Sequence, residues 1–312
     1  MRDNIKNFRI GVLAGGRSVE REISIKTGNA VFNTLKANGY NVIIFDLDEN
    51  FAENLKNIDV CFIALHGTYG EDGRVQGALD VFGVPYTGSG VLASALAMDK
   101  IKSKALFNFY GLKTPQGITV KRGENEDALK KKLKQIEPPY FIKPNSSGSS
   151  IGCGIVLDPE KELMNTLNNA FKYDDEILIE KNIKGREIQF AWAFGKPLGC
   201  VEVKPKDFFY SYDAKYTKGK TEYLVNPELT KEEYAECESA AVRANEIIGC
   251  RGISRTDIIL SGEGSAYILE LNTLPGLMEL SLVPMIAGNK GISFNELVED
   301  IIEDAILKKE KQ

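Results

Sequence analysis

The sequence predicts an α/β fold, with an N-terminal parallel α/β domain followed by two α+β units. Three observations carry that expectation. Apolar, strand-like runs alternate with helical periodicity through the first part of the chain, the pattern of a parallel sheet with helices on its faces. Thr114-Pro115 follows a helical stretch and marks a boundary, after which a short βαβ-β-α-β pattern begins. The remainder opens on long β runs and closes with a hairpin and two helices. The length of 312 residues agrees, since it exceeds one typical domain and suggests about two or more.

Taken in order, Phe8 to Ala14 reads as a buried strand ending in Gly15-Gly16, and about Glu20 to Asn38 as a helix. Asn41 to Leu47 and Asp59 to Leu65 are the next two strands. Ligands of such sheets sit beyond the carboxyl ends of the strands. Those ends are Gly15-Gly16-Arg-Ser-Val-Glu20-Arg-Glu22 and His66-Gly67-Thr-Tyr-Gly70-Glu71-Asp72-Gly73, both Gly-rich and charged. A helix from Lys100 to about Phe109 precedes the boundary. The second unit runs through strand Gly117 to Lys121, a Lys-rich helix, strand Tyr140 to Pro144, a Gly/Ser loop and strand Gly154 to Leu157. Helix Glu160 to Phe171 and strand Glu176 to Lys181 complete it. The third has β runs from Glu187 to Val203, a polar loop, helix Lys231 to Ile248, the hairpin and the closing helices.

Composition narrows the function classes. With 43% hydrophobic and 27% charged residues, this is an ordinary globular chain with ample core material. A net charge of -5 gives no electrostatic reason to expect nucleic acid. No run approaches the roughly 20 apolar residues that span a bilayer, so no membrane partner is expected. The first residues, Met-Arg-Asp-Asn-Ile-Lys-Asn, are polar and lack the apolar core of a signal peptide, so a cytoplasmic location is expected. The five cysteines are scattered and form no C-x-x-C pair, which reads as buried thiols in a reducing compartment. A single histidine, His66, makes a zinc site improbable, and no G-x-S-x-G elbow accompanies it.

The hairpin carries the strongest chemical signal. Arg255-Thr-Asp257 opens one strand, and Tyr267-Ile-Leu-Glu270-Leu-Asn272 forms the other across a Gly-rich turn. Alternation puts Glu270 and Asn272 on one face, and Asp257 can lie across from them. Two carboxylates and an amide oxygen on rigid strands suit Mg²⁺, a hard cation that keeps substrate phosphates in its shell. Lys143-Pro-Asn-Ser-Ser-Gly148-Ser149-Ser150-Ile-Gly152 offers a cation and free backbone N–H groups that together cradle phosphates. Glu180-Lys181 ends a strand whose backbone can bond a purine edge, and Glu187 can accept from ribose hydroxyls. Five aromatics and Lys215 from Phe208 to Tyr216 fit a loop that closes over a site and excludes water. Taken singly, each stretch has a plain alternative: a hairpin with polar residues facing water, a flexible turn, a solvated strand end, or an aromatic loop packed for stability.

Together and in this order, the motifs resemble the ATP-grasp superfamily, and within it the D-alanine–D-alanine ligase family. The resemblance spans nearly the whole chain. It rests on Gly15 to Ser24, on Ala64-Leu-His66-Gly67 with Gly70-Glu71-Asp72-Gly73, and on the segment from Tyr86 to Lys100. It continues through Asp213-Ala-Lys215-Tyr216, Arg255-x-Asp257, Glu270-Leu-Asn272-Thr-x-Pro-Gly276 and Ser281-Leu-Val-Pro. Two departures stand out: Ser147 replaces the usual glutamate before Gly148, and Leu280 replaces the usual histidine before Ser281. The first bears on how the aromatic loop docks, the second on the wall beside the second substrate's carboxylate.

The resemblance implies an ATP-grasp fold with ATP clasped between two α+β domains. Its implied divisions are 1–99 for the first substrate, 100–186 as the central lid, and 187–312 with the metal and substrate site. It implies ligation of two D-alanines through an acyl phosphate, for peptidoglycan precursors, with two Mg²⁺ (Mn²⁺ can substitute) on Asp257, Glu270 and Asn272. Lys100, Lys143 and Lys215 would supply further cations to ATP, alongside Glu180, Lys181 and Glu187. Arg255 and the Gly276 N–H suit an oxyanion hole. Glu20 would take the ammonium of the first D-alanine and belong to a Glu20–Ser150–Tyr216 hydrogen-bonded link. Ser281 and the Leu282 N–H would take the second carboxylate. His66 and Glu71 lie near that site by analogy, although His66 could equally cap its strand. A homodimer is expected from the family. The rivals are a sister ligase making a depsipeptide, against which Tyr216 argues, and a regulatory ATP-binding protein without catalysis.

Overall fold

Ile10–Leu13 is an unbroken apolar run buried on both faces, as the central strand of a helix-covered parallel sheet must be. This strand, β1, lies between and parallel to β2 (Val42–Phe45) and β3 (Val60–Ile63). Four helices follow in this part of the chain: α1 (Arg21–Ala37), α2 (Phe51–Leu55), α3 (Arg74–Phe82) and α4 (Val91–Met98). The sequence reading lacks α2, α3 and α4. In α4, Val91-Leu-Ala-Ser-Ala-Leu-Ala-Met is apolar around most of its circumference, so no polar face reveals the helical period. The computed structural model describes residues 5–309 apart from Asp207, Phe208, Lys218 and Leu280, and omits the side chains of Tyr212, Tyr216, Lys308 and Lys309.

Asp99 caps α5 (Lys100–Phe109) by accepting from the Lys102 N–H at 3.0 Å. The chain then builds an antiparallel sheet in the order β4-β7-β5-β6, from β4 (Gly117–Lys121), β5 (Tyr140–Pro144), β6 (Gly154–Val156) and β7 (Glu176–Lys181). Two amphipathic helices, α6 (Glu126–Leu133) and α7 (Pro159–Ala170), bury Leu129, Leu163 and Leu167 against it. Its core is separate from the others.

A larger antiparallel sheet holds the rest, in the order β10-β9-β8-β11-β12. Its strands are β8 (Gly185–Ala193), β9 (Lys196–Pro205), β10 (Thr221–Val225), β11 (Ile253–Ser261) and β12 (Ala266–Asn272). The expected polar loop after β9 contains the short helix α8 (Tyr212–Tyr216) and then the edge strand β10, whose half-exposed residues carry no clear alternation. Helix α9 (Lys231–Ile248) begins with a capping box between Thr230 and Glu233 and covers one face. Helices α10 (Leu282–Asn289) and α11 (Phe294–Lys309) share a core with β1, α1 and the large sheet, joining the N-terminal sheet to the last part of the chain.

The entry of α1 sets where Glu20 stands, and that entry depends on close packing onto β1. A Cβ on Gly28 would lie 2.3 Å from the Cβ of Ala14, so only glycine permits the approach. Gly28→Ala is expected to lower stability by about 1–3 kcal/mol through overpacking, and Gly28→Leu by more. Thermal melts check this; a wild-type Tm for Gly28→Leu would contradict it.

Candidate active site

β11 and β12 pair with Arg255 opposite Asn272 and Asp257 opposite Glu270, which sets all four side chains on one face of the sheet. The pairing then steps from Asp257↔Glu270 to Ile258↔Ile268, leaving Leu269 unpaired. This bulge lets the consecutive Leu269 and Glu270 both line the same cavity, which strict alternation forbids. Arg255 donates from Nε and Nη2 to the two oxygens of Asp257, at 2.6 and 2.9 Å. Lys100 Nζ stands 3.4 Å from Glu270 Oε2. Burial opposes ionisation of Glu270, but Lys100, Lys215, Lys143 and Arg255 overcome it and pull its pKa down to about 2.

These residues fit a Mg²⁺ site. The donors are hard oxygens, Glu270 is held ionised, and the buried Asn272 Nδ2 finds no partner among the described residues, so its amide is not committed to the protein. Arg255 occupies both Asp257 oxygens but leaves each a further lone pair. Among the described residues no group of three or more His, Cys, Asp or Glu could hold a metal, so the site needs Asn272 and oxygens from a substrate.

Beside the hairpin lies a cavity of about 410 Å³ between the two antiparallel sheets. Lys100, Lys143, Lys215, Glu180, Lys181 and Glu187 line it, with Phe141, Ile155, Phe209, Ile259 and Leu269 as apolar walls. Lys100 Nζ donates to the carbonyl of Ser147 at 2.8 Å and so ties α5 to the Gly/Ser loop. Lys143 pairs with Glu180 at 2.6 Å, and the Lys215 ammonium lies 4.9 Å from the Tyr210 ring centroid. Glu180 is 1% exposed, which overturns the reading of this strand end as solvated. The Lys181 ammonium pairs outward with Glu137 at 3.3 Å. Burial, then the charge of Asp257, pushes Glu187 up to about 7.

A smaller cavity of about 150 Å³ adjoins the first, lined by Glu20, His66, Glu71, Arg255, Gly276, Ser281 and Leu282. Tyr210, Lys215 and Glu270 line both. His66 turns its ring to Thr27 Oγ1 (3.0 Å) and Glu71 Oε1 (3.3 Å), so it joins this cluster. Ser281 is the N-cap residue of α10, and its Oγ accepts from the Met278 N–H at 3.0 Å. Glu20 is held at the start of α1 by a braced glycine turn. Asp46 accepts from the Gly16 N–H at 2.6 Å and pairs with Arg21, and at Gly15 (φ +88°) a Cβ would sit 2.5 Å from the Asp46 carboxylate.

One expected link is different. Glu20 accepts from the Ser149 hydroxyl, not from Ser150, whose Oγ donates to the Tyr210 carbonyl at 2.9 Å. Positive φ at both serines (50° and 56°) points the neighbouring hydroxyls apart, and sequence alone shows no such turn. The Tyr216 side chain and Leu280 lie outside the described residues. Sequence reasoning also missed Tyr210, Asn145 and Lys104. Asn145 accepts from the Ile101 N–H at 2.9 Å and donates to Asp99 at 3.0 Å, fastening the Gly/Ser loop to α5. For Lys104 a signal existed, since it lies four residues after Lys100 on the same helix face.

Burial, then the charge of Glu71, raises the pKa of Glu20, and the Ser149 hydrogen bond only partly offsets this. Ionised Glu20 therefore costs stability above its folded-state pKa, and the cost vanishes below the unfolded value. Glu20→Gln is expected to melt higher than wild type at about pH 8 and to converge with it near pH 4. A lower Tm for the variant at pH 8 would contradict this.

Comparison with known proteins follows the same lines. A sequence profile described as D-ala D-ala ligase C-terminus matches residues 106–303, and one described as D-ala D-ala ligase N-terminus matches residues 47–89. The D-alanine–D-alanine ligase of Geotalea uraniireducens is 46% identical over 310 residues, covering 98% of this chain and 98% of the relative. The crystal structure of D-alanine–D-alanine ligase from Bacillus anthracis complexed with ATP superposes with a TM-score of 0.85 at 36% identity, over 97% of this chain and 99% of that one. VanG D-Ala:D-Ser ligase from Enterococcus faecalis gives a TM-score of 0.82 at 28% identity, over 94% of this chain and 98% of that one.

Proposed function

The chain belongs to the D-alanine–D-alanine ligase family, and from that premise we propose that the two adjoining cavities are where it joins two D-alanines at the expense of ATP. It is an ADP-forming ligase of ATP-grasp fold, dependent on ATP and Mg²⁺, whose dipeptide product serves peptidoglycan synthesis. The observation that carries the site reading is the wall common to both cavities. A nucleotide-sized space and an amino-acid-sized space meet at Tyr210, Lys215 and Glu270, where a phosphoryl group can pass from one to the other.

In this reading the purine lies against Phe141, Ile155 and Leu269, Glu187 accepts from the ribose, and Lys100, Lys143 and Lys215 neutralise the phosphates. Asp257, Glu270 and Asn272 would hold Mg²⁺, which supplies charge neutralisation and orientation for the phosphate oxygens. Glu20 holds the ammonium of the first D-alanine and turns its carboxylate toward the shared wall. A carboxylate oxygen attacks the γ-phosphorus, ADP leaves, and an acyl phosphate forms. The second D-alanine, its carboxylate on Ser281 and the Leu282 N–H, attacks the acyl carbon through its neutral amine. The carbonyl oxygen gains charge, which Arg255 and the Gly276 N–H stabilise, and the C–O bond to phosphate breaks as the amine proton is lost. Each such donor is worth about 3–4 kcal/mol in comparable sites.

The division at 1–99, 100–186 and 187–312 belongs to the same proposal, supported by the three separate sheets. So do a homodimer in the cytoplasm and the absence of nucleic-acid and membrane partners, supported by the family likeness and the net charge of -5. Among the described residues no helix is long and apolar enough to cross a membrane.

Two measurements test this. ADP release is assayed with D-alanine, L-alanine, D-serine and D-lactate, with mass analysis of products. D-alanine alone is expected to give efficient turnover and D-alanyl-D-alanine; no ADP with D-alanine would overturn the reading, and an ester or D-serine product would move it to a sister ligase. Glu270→Gln keeps the shape of the side chain and removes its charge. It is expected to cut kcat at least about a hundredfold, roughly 3 kcal/mol of barrier, while the chain still folds, with a lower Tm at neutral pH because Lys100 loses its carboxylate partner. Turnover within about threefold of wild type would remove Glu270 from the site.

A further inference from the structure

Lys104 lines neither cavity, yet it is 5% exposed and holds one end of a buried charge trio. Its Nζ sits 2.5 Å from Glu180 Oε1, while Lys143 Nζ sits 2.6 Å from the other oxygen, Oε2. Lys143 and Glu180 are equally inaccessible, at 4% and 1% exposed. Lys104 also donates to the carbonyl of Ile268 at 3.3 Å, in β12 two residues before Glu270. The trio thus touches α5, β5, β7 and β12.

Two ammonium groups on one carboxylate leave a surplus of one positive charge. Of the two lysines only Lys143 lines the nucleotide cavity, beside Glu180, so the surplus acts on a ligand through Lys143. Without Lys104, Lys143 would be the sole partner of Glu180 in this trio. The two would form a closed neutral pair, because an uncompensated buried carboxylate draws in whatever cation remains. We propose that Lys104 is a positioning residue for the nucleotide phosphates: by holding one oxygen of Glu180, it keeps Lys143 on the other with net positive charge available to the cavity. This rests on the reading of Lys143 as a phosphate-binding lysine. Burial pulls Lys104 down to about 7, with Glu180 opposing and Lys143 reinforcing, so the trio carries its full surplus below that pH, whereas Glu180 and Glu270 outweigh burial at Lys143 and raise it.

The test compares wild type, Lys104→Met and Lys104→Met/Glu180→Gln, measuring KM for ATP and for D-alanine separately, with melts alongside. Wild type must first form ADP with D-alanine; its failure would overturn the ligase reading rather than the role of Lys104. Lys104→Met is expected to raise the KM for ATP at least about tenfold while the KM for D-alanine stays within about twofold. Adding Glu180→Gln frees Lys143 and is expected to recover at least about threefold of that loss, a rescue that two independent packing lesions would not give. Equal rises in both KM values, or a double variant worse than the single, would overturn the proposal. If the single variant does not fold, the double, which removes one charge of each sign, is read alone. Its loss must fall on ATP, and an equal loss on both substrates overturns the proposal.

Discussion

Asp257 faces Glu270 because the turn after Ser261 closes the β11–β12 hairpin in one register, and the chemical surface depends on that register more than on any other contact. Side chains alternate along a strand, so a slip of one residue would send Arg255, Asp257, Glu270 and Asn272 to the opposite face. Two things prevent the slip. β8 pairs with β11 over its whole length, from Ile253↔Ala193 to Ser261↔Gly185. On the far face, Ile258, Leu260, Ile268 and Leu271 are buried in one core with Cys237, Ala241 and Ala244 of α9. Moving the polar face would expose that apolar one, at roughly 1.5–3 kcal/mol for each large side chain. Packing on one side of the sheet therefore holds the charges on the other.

The charges brace the two antiparallel sheets in turn. α5 presents Lys100 and Lys104 one turn apart, the first toward Glu270 of the large sheet and the second toward Glu180 of the small one. Asn145 and the Ser147 carbonyl then fasten the Gly/Ser loop to the start of the same helix. Moving either sheet away from α5 would leave a buried ammonium or carboxylate without its partner, which is costly in a low-dielectric interior. The cleft width is fixed by ion pairs whose carboxylates, Glu270 and Glu180, also line the cleft.

Most of this was legible in the chain. Strand–helix alternation predicts the parallel sheet around Ile10–Leu13, and α9 lies at the expected Lys231–Ile248 because a capping residue and a full apolar face both mark it. That Asp257, Glu270 and Asn272 share one face was legible because residues two apart in a strand lie on the same side and the hairpin brings its two strands together. What escaped shares a physical cause: it depends on backbone states that neighbouring residues do not announce. Ser149 takes the place expected of Ser150 because both adopt positive φ. Leu269 reaches the cavity through a bulge, and α4 hides its period in a nearly uniform apolar run. Lys104 was visible as a helical neighbour of Lys100, but its partner Glu180 lies on a strand of another sheet, a pairing that only the tertiary fold makes.

The two cavities differ in the sign of the charge they leave unsatisfied, and that difference orders the substrates. Toward the N-terminal sheet, the charge of Glu71 adds to burial in disfavouring ionisation of Glu20, and Ser149, His66 and Lys215 compensate only in part. An ammonium placed there relieves the repulsion, whereas a carboxylate adds to it. Toward the hairpin, Asp257 pairs with Arg255 and Glu180 with Lys143, which leaves Lys100 and Lys215 facing Glu270, and together these cations hold Glu270 ionised even when buried. An anion placed there is welcomed. On the proposed reading, an amino acid between these regions satisfies both only with its ammonium on Glu20 and its carboxylate toward Lys215. The reversed pose would be disfavoured at both ends, so the carboxylate would be aimed at the nucleotide before any bond changes. Orientation follows from burying opposite charge imbalances on either side of a common wall.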